Sequence, residues 1–238
     1  MSFGAGLLCQ SSALAQEKPL IDKGRIIGGS TGQMRDDVRP VGKFLPQPAL
    51  LRPGGAGQPV LVYRNPGAAW QNYNRVMLDR VSVMAGPESQ LRSVSENYRR
   101  GVANYFNGIA YNALSTRCTM VSRPGPGTMR IRIALVDAKT PNKLINTAAT
   151  YTPYASTAYS VASRVFNKGV GYFAGNATAQ AYAVDAQKGT LLWQAVDKRG
   201  GTTALVADTT DDWRDVRKIF ETWGQQMAER LAQLGVCR

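Results

Sequence analysis

Residues Arg123–Ala138, "RPGPGTMRIRIALVDA", hold the reading on which the fold turns. From Met129 the side chains alternate: Met129, Ile131, Ile133 and Leu135 fall on one side of an extended chain, Arg130 and Arg132 on the other. That period of two marks a strand buried on one face only. Just ahead, Pro124 to Gly127 alternate a residue lacking an amide proton with one free to take a positive φ, which makes a tight reversal. Arg117–Arg123 and Thr128–Asp137 are therefore predicted to pair as a hairpin.

A second hairpin is predicted from Thr178–Asp185 and Leu191–Asp197, joined through Gln187, Lys188 and Gly189. Upstream, Val60–Arg64 and Arg75–Met84 read as strands, the latter through Val76, Leu78, Val81 and Val83. Between these strands and the first hairpin, Leu91, Val94, Tyr98, Val102, Tyr105, Phe106, Ile109 and Ala113 recur at helical spacing. Ser93-Val94-Ser95-Glu96 fits a capping box within that longer helical stretch. Tyr154–Phe166 reads as a weaker helix rich in Ala and Ser. The last helix carries Trp213, Val216, Phe220, Trp223, Met227, Leu231 and Leu234, with Thr209 or Thr210 as its cap, Asp211 and Asp212 in its first turn and Gly235 at its end. The sum is an α+β fold: a mostly antiparallel sheet of two hairpins plus N-terminal strands, covered by about three helices. The expected organisation is a truncated signal segment over 1–15, a flexible linker rich in Pro, Gly and charge over 16–58, and a single α+β domain over 59–238.

Composition bounds the chemistry. The 238 residues carry a formal charge of +13, most of the excess lying between Leu61 and Lys188, so an acidic partner or surface is expected. Histidine is absent, which removes serine-histidine triads, thermolysin-type sites and mixed Cys/His zinc sites. The Ser-Lys alternative fails because no Ser-x-x-Lys occurs in the folded part. Asp79, Asp137, Asp185 and Asp197 recur at strand ends, but hairpin geometry spreads them along the sheet, so they read as turn formers rather than a metal or acid/base cluster. No catalytic residue, metal-ligand set or cofactor is expected. No apolar run reaches the roughly 18 residues that a spanning helix needs, so no transmembrane helix is expected.

The amino terminus, "MSFGAGLLCQSSALAQ", joins a short apolar stretch to Ala13-Leu14-Ala15, an A-x-A match for cleavage between Ala15 and Gln16. No Lys or Arg precedes that stretch, so the true start is expected to lie upstream. Cys9 offers a competing lipidation site, although Leu8 stands where a lipoprotein signal has Gly, Ala or Ser. Cleavage after Ala15 would leave Cys118 and Cys237 as an even pair, and in an oxidising compartment they are candidates for a disulfide. The remaining candidates form a basic surface: Arg130 and Arg132 with Arg64, Arg75 and Arg123, beside Tyr63, Trp70 and Tyr73 as stacking groups. An ordinary solvent face of a half-exposed sheet explains the same pattern, and no RNP-type motif, GXXG clamp or recognition-helix pattern points to nucleic acid.

Five segments in register also resemble a known family. They are "FLPQPALLRPGG", "LVYRNPGAAWQNYNRVMLDRVSV", "RPGPGTMRIRIALVDA", "YAVDAQKGTLLWQAVDKRGG" and "WRDVRKIFETWGQQMAERL", spanning Phe44 to Leu234. Together they are similar to the bacterial family called domain of unknown function 3313. The resemblance implies an exported envelope protein, in most members a lipoprotein, with no activity assigned. The chain departs from the pattern at Leu8 and at Gln180 and Tyr182, where relatives have acidic residues. The expectation is a non-enzymatic envelope protein, periplasmic or outer-membrane-associated, peripheral or lipid-anchored, that binds an envelope partner or an anionic surface. A basic nucleic-acid module and a histidine-free hydrolase are the alternatives.

Overall fold

A computed structural model describes residues 31–139, 175–200 and 213–237. The predicted helix over Tyr154–Phe166, the cap residues Thr209 and Thr210, Asp211 and Asp212, and the N-terminal candidates Cys9, Ala15 and Gln16 lie outside the described residues.

The fold is α+β, built on one mixed, mostly antiparallel sheet of nine strands. In chain order the strands are β1 (Gly32–Gln33), β2 (Arg52–Pro53), β3 (Leu61–Arg64), β4 (Arg75–Leu78), β5 (Ser82–Val83), β6 (Thr119–Met120), β7 (Thr128–Lys139), β8 (Asn176–Asp185) and β9 (Leu191–Gly200). Their spatial order is β2-β3-β9-β8-β7-β4-β6, with β1 also pairing β9 and β5 also pairing β7. Two long helices are described, α1 (Glu96–Ser115) and α2 (Arg214–Gln233).

The predicted β8–β9 hairpin forms, with Ala181 opposite Ala195 and a bulge between Ala183 and Val184. The hairpin predicted across Pro124–Gly127 does not. β6 pairs with β4, and β4 lies between β6 and β7, parallel to both. Gly127 makes room for that insertion: its carbonyl accepts the amides of Asn74 (3.1 Å) and Arg75 (3.2 Å) at the entry to β4. At φ +66 it sits where a Cβ would meet the Asn72 carbonyl oxygen at 2.8 Å, so a side chain here would push β4 out. Short-range turn chemistry located the reversal but could not reveal that a third strand, some fifty residues earlier in the chain, enters between its arms.

The sheet buries both faces, by different means. One face is helix-covered. α1 starts at Ser95, whose hydroxyl accepts the Tyr98 amide at 3.2 Å, two residues beyond the Ser of the predicted capping box. Its buried stripe is Ala103, Phe106, Ala110 and Leu114, while Tyr105, predicted to face the core, is 45% exposed. Phe106 stacks on Phe220 of α2, ring centroids 4.3 Å apart, and leans on Trp223 at 5.5 Å. The helices approach closely because Gly224 has no side chain; a Cβ there would press on Ala113 at 3.2 Å. Beneath them lie Met129, Ile131, Ile133 and Leu135 of β7, all at most 2% exposed, as the alternation predicted.

The opposite face is covered by residues expected to be linker. Over 31–58 the chain contributes β1, β2 and a short 3-10 helix, Pro48–Leu50, and buries Leu45 against Tyr182, Leu191 and Val196. Phe44 meets Tyr182 edge-on at 5.2 Å. This strap has no periodic apolar pattern because polar side chains of the sheet hold it. Gln180, 1% exposed, accepts the Val41 amide (3.1 Å) and donates to the Val41 carbonyl (2.8 Å). Gln194, fully buried, accepts the Gln47 amide and donates to the Gln47 carbonyl. Each side-chain amide thus stands in for a neighbouring strand and satisfies backbone groups that would otherwise be buried without partners.

Candidate functional site: a basic sheet end and a helix-roofed cavity

The five predicted surface arginines divide into two groups. Arg130 and Arg132 project from the strap-covered face and converge on Asp79: Arg130 donates through Nε and Nη2 at 2.9 and 2.8 Å, Arg132 through Nε at 2.6 Å. Arg132 also donates to the Tyr182 hydroxyl at 2.9 Å. Burial alone would raise the Asp79 pKa, but hydrogen bonds from the two guanidinium groups outweigh it and hold the carboxyl below its ordinary range. These arginines share one carboxylate and remain partly exposed. The alternation placed them outward, and a carboxylate at the end of β4 meets them there.

Arg64, Arg75 and Arg123 are exposed, and none has an ion pair among the described residues. Strand register puts Arg64 opposite Trp193 and Arg75 opposite Thr128, and the Thr128 carbonyl accepts the Ala186 amide of the β8–β9 turn at 3.0 Å. All three sit at or near the end of the sheet that carries this turn, together with exposed Arg117 and Lys188. The acidic group there is Asp185, and it is occupied. It caps the turn by accepting the amides of Gln187 (2.9 Å) and Lys188 (2.7 Å), and it accepts the Tyr73 hydroxyl at 3.0 Å. Burial opposes its ionisation, but the turn amides prevail and lower its pKa. Burial and then Asp185 push the Tyr73 phenol up to about 12. Trp70 and Tyr73 are buried and Tyr63 half-buried, so they do not present the stacking platform that a nucleic-acid reading needs.

Of the four aspartates, only Asp185 is the predicted turn former. Asp137 accepts Ser89 Oγ (2.8 Å) and the Gln90 amide (3.1 Å) beside a short 3-10 helix. Asp197 is a buried hub that sequence reasoning missed. Its Oδ1 accepts Gln33 Nε2 (2.7 Å) and the Val60 amide (3.0 Å), and its Oδ2 accepts Arg199 Nε and Trp223 Nε1, both at 2.8 Å. Four donors from β1, the entry to β3, β9 and α2 converge on one carboxylate, which welds the strap to the helix layer. An Asp-x-Arg pair on alternate positions of a strand was the available signal, since both side chains then share a face.

Beside Asp197 lies a cavity of about 900 Å³ between the C-terminal half of α2 and strands β8, β9 and β3. Its floor is shallow because the helix-facing residues there are small: Ala179, Ala181 and Ala195. Trp70, Trp193 and Trp223 line it, with Arg64 and Arg230 among its charged residues.

Cys118 and Cys237 stand at disulfide distance, Cα atoms 4.6 Å apart, as proposed from their even count. They connect the segment after α1 to the segment after α2; Cys118 leads into β6, an edge strand rather than a central one. Among the described residues no group of three or more Cys, Asp and Glu is placed to hold a metal ion, and no helix is long and apolar enough to cross a membrane.

Solved structures with a related outline are distant. PelC of Paraburkholderia phytofirmans, a dodecamer, is 13% identical, with 74% of this chain and 98% of that one covered and a TM-score of 0.35. A protein of Xanthomonas campestris described as DUF330 is 8% identical over 72% and 91% of the two chains, with a TM-score of 0.37. A hypothetical protein of Chlamydia trachomatis is 9% identical over 68% and 93%, with a TM-score of 0.34. No curated protein sequence matches the chain. The sequence profile of a protein family of unknown function, DUF3313, matches residues 43–227, from the strap through most of α2, and the chain belongs to that family.

Proposed function

We propose that this chain is an exported, non-enzymatic binding module of the cell envelope, periplasmic or outer-membrane-associated, whose basic sheet end docks on an anionic envelope surface or partner. The observation that carries the reading is the Cys118–Cys237 pair: two cysteines held at bonding distance across the ends of two helices suit an oxidising compartment. The charge of +13 and the free guanidinium groups of Arg64, Arg75 and Arg123 supply the attraction.

The test is cell fractionation followed by mass spectrometry without reduction. The expected result is a chain in the periplasmic or outer-membrane fraction, processed at Ala15 or lipidated at Cys9, with Cys118 and Cys237 linked. A cytoplasmic chain that retains residues 1–15 and two alkylatable thiols overturns the reading. Docking is tested separately with vesicles of anionic phospholipid. Salt-sensitive binding weakened by Arg75→Glu with Arg123→Glu is expected; unchanged binding in that variant, or binding of nucleic acid alone, contradicts the basic-end assignment.

A further inference from the structure

The cavity is unlike the rest of the helix–sheet interface. Elsewhere the helices fill the space above the sheet with Phe220 and Leu114, each at most 1% exposed. Above β8 and β9 the floor drops to alanine methyls, while Trp223 keeps α2 at a distance: its ring stands between helix and sheet and its Nε1–H donates to Asp197 at 2.8 Å. The cavity is partly open to solvent, and its volume of about 900 Å³ falls in the roughly 300–1,000 Å³ range of small-molecule sites.

The charged residues of its wall are two cations, Arg64 and Arg230, and two carboxylates, Asp197 and Glu229, of which Asp197 is already paired with Arg199. Asp197 is closed by four donors, Arg199 among them, so it offers no free acceptor to the cavity. Arg230 is half-buried and, among the described residues, donates only to Gln226 Oε1, at 3.3 Å, an oxygen that also accepts Arg199 Nη2 at 3.1 Å. No carboxylate lies within ion-pair distance of Arg230 among the described residues; its neighbour Glu229 is exposed. Burial lowers the Arg230 pKa against the attraction of Asp197, with the charge of Arg199 adding to burial and that of Glu229 opposing it, yet a guanidinium stays protonated in any protein environment. Arg64 adds a second cation to the cavity wall.

We propose that this cavity binds an amphiphile with one linear alkyl or acyl chain and a single anionic head group, carboxylate or phosphate. The chain lies on the alanine floor against Trp70, Trp193 and Met227, and the head group meets Arg230. A half-buried cation with no carboxylate at ion-pair distance among the described residues, beside alanine and tryptophan side chains, suits the head group of such a ligand, and desolvation strengthens the pairing. The assignment rests on the cavity and is independent of export, although Arg64 belongs both to the cavity wall and to the basic sheet end.

Three of the four tryptophans line the cavity, so intrinsic fluorescence of the purified full chain reports on it. Dodecanoate and dodecyl phosphate, titrated below their micellar concentrations, are expected to change the emission saturably at one molecule per chain, and the tighter of the two identifies the head group. Arg230→Gln should weaken the anionic probes about tenfold while leaving dodecanol within about twofold, the signature of a lost charged hydrogen bond. Ala181→Leu fills the floor and should weaken all three probes; should it not fold, Met227→Phe closes the same space from α2. Arg75→Glu with Arg123→Glu should leave dodecanoate binding unchanged, which separates this site from the docking surface. Absence of saturable binding by the folded wild-type chain overturns the proposal. So does an equal loss of dodecanol and dodecanoate in Arg230→Gln, or full retention in a folded Ala181→Leu or Met227→Phe.

Discussion

The two faces of the sheet are closed by opposite strategies. On the helix face, apolar side chains interdigitate: Phe106 lies on Phe220 at 4.3 Å above a β7 row of Met129, Ile131, Ile133 and Leu135. On the strap face, an irregular chain is held by side-chain amides, Gln180 on Val41 and Gln194 on Gln47, around a small apolar cluster at Leu45 and Tyr182. Area-driven packing tolerates a gap wherever the helix cannot descend, and the alanine-floored cavity lies on that face. Hydrogen bonding to a strap fixes individual residues and leaves the sheet beneath it covered.

The joint between the faces should be the most sensitive point. Asp197→Ala removes the acceptor of four donors and leaves Arg199 buried without its carboxylate, a change expected to cost about 4 kcal/mol. Urea denaturation would show it as a lowered midpoint with the slope retained. Next comes the Cys118–Cys237 link, which spans 119 residues of chain; reducing it should lower stability by about 3 kcal/mol through the enlarged unfolded ensemble. Comparing midpoints with and without reductant measures this, and a Cys118→Ser, Cys237→Ser variant should match the reduced wild type. Gln180→Ala touches one face only. It leaves the Val41 amide and carbonyl without partners, and a loss of about 2 kcal/mol is expected, with faster hydrogen exchange in the strap and little change in α1 or α2.

The smallest effect concerns Asp79. Its folded pKa lies below the ordinary value, so its contribution is complete above about pH 4 and fades as acid carries it through the depressed folded value. Arg130 and Arg132 are partly exposed, which keeps the contribution under about 1 kcal/mol. Asp79→Asn should flatten the acid limb of the stability profile in that window and leave neutral-pH stability nearly unchanged.

The same contrast explains what was legible in the sequence. The helix face announces itself by period: alternation gave β7, i/i+3/i+4 spacing gave α1 and α2, and Gln187-Lys188-Gly189 gave the β8–β9 turn. The strap gave no such sign, because Gln180 and Gln194 do their work by hydrogen bonding from buried positions, where a polar residue reads as solvent-facing, and 31–58 looked like a linker for want of apolar rhythm. The insertion of β4 beside β7 was hidden for another reason: pairing between segments distant in sequence leaves no local mark. The exposed Arg64, Arg75 and Arg123 were legible as basic positions, whereas the pairing of Arg130 and Arg132 with Asp79 was not, because Asp79 lies about fifty residues away. Arg230 and the cavity were invisible, since alanines on a strand predict no space until a helix is laid over them.

Native-state hydrogen exchange resolved by residue tests the two-face account most directly. The account predicts that amides of the strap, Val41 and Gln47 foremost, open locally with a free energy well below that of β7, α1 and α2, and that Gln180→Ala lowers the strap value alone. Equal opening free energies on both faces, or loss of helix protection in Gln180→Ala, would contradict it.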